Sequence, residues 1–129
     1  MLGNMYALET LQNELRCGVS FYRLLVDERF VGFAALGPQP EAGVMKLHKC
    51  YLLPEFHGCG LGSQLLRHCE NEARMLGARK MILAVNKNNH KAIAAYRRNG
   101  FEVDRPVSTD FGAGYVMDDY IMAKKLMPH

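Results

Sequence analysis

The chain has 129 residues, 49% of them hydrophobic and 22% charged, with a net charge of +3. That length suits one domain around one core, and the composition is that of an ordinary globular chain. The few charges are scattered rather than blocked, which argues against nucleic acid as a partner, and no apolar run reaches the roughly 18 residues of a membrane span.

The start, Met-Leu-Gly-Asn-Met-Tyr, has no basic region followed by an apolar one, so a cytoplasmic protein without a secretory leader is expected. Cys17, Cys50, Cys59 and Cys69 are irregularly spaced and make no C-x-x-C. With His48, His57, His68 and His90 they form no metal-ligand spacing, so neither zinc nor disulfides are expected.

In chain order, Tyr6 to Arg16 reads as a short amphipathic helix with Leu8, Leu11 and Leu15 on one face, stopped at Cys17-Gly18. Ser20 to Val26 and Phe30 to Leu36 are β-rich and joined by a hairpin signal, Asp27-Glu28-Arg29. Gly37 to Gly43 is a loop, rich in proline and glycine. Val44 to Leu53 is the next strand, ended by Pro54, which cannot donate to a ladder.

A helix follows from Leu61 to Leu76. Its stripe is Leu61, Leu65, Cys69, Ala73 and Leu76, and Gly77 stops it. Arg79 to Asn86 is a buried strand. Asn88 or Asn89 caps a second helix running to Arg98, with Ala92, Ile93 and Tyr96 as its apolar stripe and Asn99-Gly100 as its stop. Phe101 to Pro106 is a strand, Gly112-Ala113-Gly114 a hairpin turn, and Tyr115 to Leu126 the last strand.

The informative stretch is Pro54-Glu55-Phe56-His57-Gly58-Cys59-Gly60-Leu61-Gly62, where a strand gives way to a helix. Glycine admits positive φ and close approach of a ligand. The first turn of a helix carries N–H groups without partners, at the positive end of the dipole. Together these suit a phosphate or diphosphate. Three anionic ligands compete for such a cradle. A nucleoside triphosphate on a P-loop requires a lysine beside the last glycine, and Gly62-Ser63 has none. A dinucleotide requires G-x-G-x-x-G at the first strand and an acid about 20 residues on. Here the spacing is Gly58, Gly60, Gly62, two hairpin strands come first, and Val85-Asn86 brings no acid.

The third ligand is coenzyme A. His57-Gly58-Cys59-Gly60-Leu61-Gly62 resembles the Q/R-x-x-G-x-G/A signature of the GNAT superfamily of N-acetyltransferases. Tyr51 to Phe56 resembles the strand leading into it. Asn86 to Phe101 is similar to the family's second block, N-x-x-N-x-x-A-x-x-x-Y-x-x-x-G-F, with Asn89, Ala92 and Tyr96 at its motif positions. The likeness covers roughly residues 20 to 126. His57 departs from the usual Gln or Arg. The family's opening strand and helix are also expected to be missing, so that the chain starts after them.

The resemblance implies an α/β (α+β) fold, a mostly antiparallel mixed sheet with a splayed parallel pair at its centre, Val44–Leu53 and Arg79–Asn86, flanked by helices. It implies acetyl-CoA as co-substrate, with residues 57 to 63 (His57, Gly58, Cys59, Gly60, Leu61, Gly62 and Ser63) around the diphosphate. Leu52 and Leu53 would offer backbone to the pantetheine arm, and Asn89, Ala92 and Tyr96 would line it. A backbone N–H at the split can stabilise the oxyanion, typically by roughly 3 kcal/mol. Tyr96 matches the family's general acid. A phenol near 10 against a thiol near 8.5 makes full transfer uphill by about 2 kcal/mol, which favours hydrogen-bond donation.

The acceptor amine must lose a proton, at roughly 4.6 kcal/mol for a lysine-like amine at pH 7. Many relatives place Glu on the strand before the cradle; here Lys46, His48 and Lys49 stand there, and His48 is the best candidate base. Asp118 and Asp119 open the last strand, which in the family borders the acceptor. As paired carboxylates they favour a cationic amine such as a polyamine, or a lysine or N-terminal amine. The expectation is therefore one domain over residues 1–129, transferring acetyl by direct attack in a ternary complex. An unpaired sheet edge predicts a homodimer. The alternative is an acyl-CoA-binding regulatory or partner module with little catalysis.

Overall fold

A computed structural model describes residues 6–12, 18–58, 60–112 and 114–127. Seven strands form one sheet: β1 (Tyr6–Gln12), β2 (Ser20–Val26), β3 (Arg29–Pro38), β4 (Val44–Leu52), β5 (Lys80–Asn86), β6 (Glu102–Gly112) and β7 (Tyr115–Lys125). Their order across the sheet is β1-β2-β3-β4-β5-β7-β6, and every neighbouring pair is antiparallel except β4–β5. Helix α1 (Leu61–Met75) crosses from β4 to β5, and α2 (His90–Arg98) joins β5 to β6. Both pack on one face of the sheet, here the near face. Leu61, Leu65, Leu66, Cys69 and Ala73 of α1 are buried in one cluster with Leu24, Leu36, Leu47, Met81, Leu83 and Met122 of the strands, and Ala92, Ile93 and Tyr96 of α2 pack against it. Truncating a fully buried leucine such as Leu65 here would cost about 2–5 kcal/mol. Among the described residues no helix covers the opposite, open face.

The first element corrects the expected helix. Tyr6–Gln12 is a strand, paired antiparallel with β2 from Tyr6↔Val26 to Gln12↔Ser20. The helical spacing of Leu8 and Leu11 is outweighed by the unpaired N–H and C=O groups that β2 offers along its edge. A strand thus stands at the sheet's edge where a helix was expected and a strand was thought missing. Residues 13–17, which carry Leu15, Arg16 and Cys17, lie outside the described residues, as do Cys59 and Ala113.

The β2–β3 hairpin is tight: Asp27 and Glu28 both have positive φ (51° and 67°), and Val26 faces Arg29. Two left-handed residues match the twist of the flanking strands. β6 runs on to Gly112 rather than stopping at Pro106; as the outer strand of the sheet it tolerates a proline.

Both helices end in the same device. The Gly77 N–H donates to the Arg74 carbonyl and the Ala78 N–H to the Ala73 carbonyl. Likewise the Gly100 N–H donates to Arg97 and the Phe101 N–H to Tyr96. These are Schellman ends, with Gly77 and Gly100 left-handed at φ 89° and 94°. The first ends α1 before Leu76, which is 63% exposed and does not extend the buried stripe as expected.

The parallel pair is splayed. β4 and β5 are in register only from Val44↔Lys80 to Lys46↔Ile82, although both continue beyond. The cause is visible in β4. Ala35 faces Lys49 but Leu36 faces Leu47, so His48 is an extra, bulged residue. A bulge bends its strand and sharpens its twist, which carries β4 away from β5.

Candidate active site

Among the described residues, the turn from β4 into α1 has the left-handed glycines that the sequence implies. Leu52 is the last residue of β4, Pro54–Phe56 make one 3₁₀ turn, and Gly58 and Gly60 adopt φ 83° and 81°. Gly60 caps α1 with no side-chain hydrogen bond, and no acid occupies the first turn. Among the described residues, the N–H groups of Gly60, Leu61 and Gly62 have no backbone acceptor. The space in front is open: a Cβ added at Gly58 or Gly60 would meet nothing within 4 Å. Leu61 meanwhile buries its side chain, 1% exposed, so the core anchors the amides.

Gly60 and Gly62 border a cleft of about 540 Å³. One side is Gly58, Gly60, Gly62 and Ser63, with Leu65 and Leu66 beneath. Cys50 and Leu52 of β4 form its edge at the split, and Asn89, Ala92, Ala95 and Tyr96 of α2 close the other side. Of the residues singled out from the sequence, Leu52, His57, Gly58, Gly60, Gly62, Ser63, Asn89, Ala92 and Tyr96 line this cleft. His48, Leu53, Leu61, Asp118 and Asp119 do not.

Leu53 is turned away for a simple reason. Its N–H donates to Val31 of β3 at 2.8 Å, and its carbonyl accepts from Phe56 at 2.9 Å. Because backbone groups alternate along an antiparallel pair, Leu52 then faces the split instead. The Leu52 carbonyl accepts from His57 Nε2–H at 2.9 Å. The imidazole thus braces the loop against the strand.

Asn89 caps α2, its Oδ1 accepting from the Ala92 N–H at 3.2 Å. Tyr96 sits at the third position from the end of α2, where its ring meets Phe101 edge-on at 5.9 Å, the hydrophobic contact that accompanies a Schellman end. Burial, with the thiols of Cys50 and Cys69 nearby, pushes the Tyr96 phenol up to about 12. Burial pushes the Cys50 thiol up to about 11. Both are neutral near pH 7, which leaves the inner end of the cleft without charge.

A buried network holds the two helices together. Glu70 of α1 is 2% exposed and pairs with Lys124 of β7 at 2.6 Å. The same ammonium donates to the Asn99 carbonyl at 2.8 Å, closing the end of α2. Asn99 Nδ2 in turn donates to Ala95 O at 2.9 Å and to Ser63 Oγ at 3.3 Å. The first turn of α1 is therefore tied to the last turn of α2.

His48 lies elsewhere. Its Nε2 stands 2.9 Å from where a Cβ on Gly37 would be, beside Val19. Leu36 faces the near side, so Gly37 and the ring over it belong to the open face. Partial burial, and then Lys46, hold the His48 imidazole below its usual value. Strand alternation separates the two aspartates. Asp118 makes an ion pair with Lys87 at 2.8 Å, whereas Asp119 pairs in register with Asn86 and faces the open side. The expected paired-carboxylate site for a polycation does not form.

Sequence reasoning missed Lys91, Arg98 and Asn99, all at the cleft. Lys91, Ala95 and Arg98 share one helix face by their i, i+4, i+7 spacing, a signal the sequence contained. The Ser63–Asn99 contact spans 36 positions and had none. Among the described residues no group of His, Cys, Asp and Glu is placed to hold a metal, and no helix is long and apolar enough to cross a membrane.

The Acetyltransferase (GNAT) family profile matches residues 4–101. The chain belongs to the GNAT family. It is 34% identical over 101 residues to an uncharacterized N-acetyltransferase of Mycobacterium tuberculosis, covering 78% of this chain and 64% of that relative. The chain thus spans under two thirds of that relative's length. A spermidine N(1)-acetyltransferase of Thermoplasma acidophilum is 28% identical over 111 residues, covering 82% of this chain and 68% of the relative. An N-acetyltransferase of the same organism, solved with coenzyme A, superposes with a TM-score of 0.69 at 29% identity, covering 83% of this chain and 60% of the other. GNAT enzymes use acetyl-CoA, and the residues here fit it. Amides without a backbone acceptor among the described residues, and the cations Lys91 and Arg98, suit its phosphates, and the edge of Cys50 and Leu52 suits an extended amide-bearing arm.

Proposed function

We propose that this protein is an acetyl-CoA-dependent N-acetyltransferase that acts on a primary amine by direct attack within a ternary complex. The observation that carries this is that the N–H groups of Gly60, Leu61 and Gly62 have no backbone acceptor among the described residues, beside the cleft that Gly60, Gly62 and Tyr96 line. The amides and the Lys91 and Arg98 cations hold the coenzyme's phosphates. The Leu52 N–H, turned to the split, donates to the thioester oxygen as charge develops there. Residues 1–129 act as one domain, and the position of β1 as an outermost strand among the described residues supports a homodimer, which a monomeric mass at micromolar concentration would contradict.

Tyr96 serves the leaving sulfur by hydrogen bonding. With the phenol near 12 and a thiol near 8.5, complete proton transfer is uphill by about 5 kcal/mol. A neutral donor that never ionises in the working range still stabilises a thiolate. The near face is filled by the helices and coenzyme, so the amine reaches the split from the open face, where His48, held neutral at pH 7, accepts its proton.

Two measurements test this together: acetyl-CoA binding by calorimetry, and thiol release across a panel of amines. The expected result is micromolar binding and amine-dependent thiol release that Tyr96→Phe slows without weakening binding. Tight binding with no turnover on any amine would favour the acyl-CoA-binding module instead.

A further inference from the structure

With the near face taken by helices and coenzyme, whatever lines the open side of the split selects the second substrate. The lip formed by β4 is cationic there. Lys46 stands at the last rung of the β4–β5 ladder, facing Ile82. His48 lies over Gly37. Lys49 faces Ala35, whose neighbours Ala34 and Leu36 point to the near side. The bulge is what collects them: in an unbroken strand His48 and Lys49 would point to opposite faces. Among the described residues neither Lys46 nor Lys49 forms an ion pair, and the chain has no acid between Gly43 and Pro54 to neutralise them. Across the split, β5 and β7 turn Ala84, Asn86 and Asp119 to the same face. Asp119 is the one acid that β4, β5 and β7 present there, and its Oδ1 is buried with no hydrogen-bond partner among the described residues. Its neighbour Asp118 is already neutralised by Lys87.

We infer that the acceptor is an amine that also carries a carboxylate, an amino-acid-like zwitterion whose carboxylate is held by Lys46 and Lys49 and whose ammonium side faces Asp119. The inference rests on the acetyl-transfer reading above and names its acceptor class. One ammonium proton passes to the base. The nitrogen then forms the C–N bond as the C–S bond breaks, and the second proton ends on the coenzyme sulfur, giving the acetyl amide and the free thiol. A diamine of the same length brings only positive charge to a lip that already holds two lysines, and is repelled. One relative of this chain is named for acetylating spermidine, so a polyamine is the outcome the inference must survive.

The test compares acceptors that differ only by the carboxylate: lysine against cadaverine, and alanine against ethylamine. The amino acid of each pair should show a kcat/KM higher by about tenfold or more at low salt, a margin that shrinks in about 0.5 M salt as the lysines are screened. The double variant Lys46→Met/Lys49→Met should erase the margin through the acceptor's KM and leave the KM of acetyl-CoA in place. Cadaverine at or above lysine in the native protein would overturn the inference while leaving acetyl transfer standing. If no amine turns over, lysine and cadaverine are titrated by calorimetry into protein saturated with coenzyme A. Binding of lysine alone would then keep the anion site and sink the catalytic reading, and binding of neither would sink both.

Discussion

The two faces of the sheet present charge by opposite means. On the near face the proposed anion site is backbone: amides at the start of α1, fixed by a buried Leu61 and tied through Ser63 and Asn99 to the Glu70–Lys124 pair. On the open face charge sits on long side chains, Lys46 and Lys49, that form no ion pair among the described residues. Backbone amides cannot swing away or be exchanged residue by residue, so a site built on them suits the invariant part of a reaction. Side chains on a strand's outer lip can be swapped without disturbing the core, so they suit the choice of acceptor.

The comparison breaks most severely at the buried pair. Lys124→Met leaves the Glu70 carboxylate, 2% exposed, without its partner and should destabilise the fold by about 3–5 kcal/mol in urea unfolding. Adding Glu70→Leu should restore much of that loss. A small effect of the single change would mean that the near face does not depend on this network.

Gly60→Val comes next. The space beside Gly60 is open, but its φ of 81° is left-handed, so the change should cost about 1–2 kcal/mol of stability. Its side chain would also stand at the amides, so coenzyme A affinity should fall by about tenfold or more, measured by calorimetry. Lys46→Met should leave that affinity unchanged, because the two sites lie on different faces.

How legible these parts were follows from their range along the chain. The cradle and both helix stops were readable because each is set by a few adjacent residues: Gly58 to Gly62, Gly77, and Asn99-Gly100. The splay was expected from resemblance, but its device, the bulge at His48, has no marker in the run Lys46-Leu47-His48-Lys49. That one extra residue decided which charges share a face. Tyr6–Gln12 reads as the start of a helix because Leu8 and Leu11, with Leu15 beyond them, fit one, and only the waiting edge of β2 makes it a strand. Asp118 and Asp119 were read as a pair because adjacency in sequence looks like proximity, whereas a strand sends neighbours to opposite sides.

Tyr96→Phe tests the inner end of the cleft more gently. Losing one hydrogen bond to a charged sulfur should lower kcat about 10- to 100-fold with little change in stability or coenzyme binding. Because the phenol stays protonated up to about 12, the native protein should show no alkaline limb from Tyr96 below about pH 10.

His48 gives the smallest effect and sharpens the open face. Its imidazole is held below 6.5, so below that pH the unfolded chain takes up the proton first, and stability falls as pH drops from 6.5 through the folded value. Above 6.5 both states are neutral and the site is silent. The acid limb of kcat/KM should follow the same group, and His48→Gln should flatten both the limb and the acid loss of stability. A limb that persists in His48→Gln would assign the base elsewhere.

The most direct test of the cradle is to follow the backbone amide signals of Gly60, Leu61 and Gly62 by nuclear magnetic resonance while coenzyme A is added. The three should move downfield together and saturate with the binding isotherm, and pantetheine, which lacks the phosphates, should leave them where they were. Coenzyme A that binds while these three amides stay still would contradict a diphosphate held by the turn between β4 and α1.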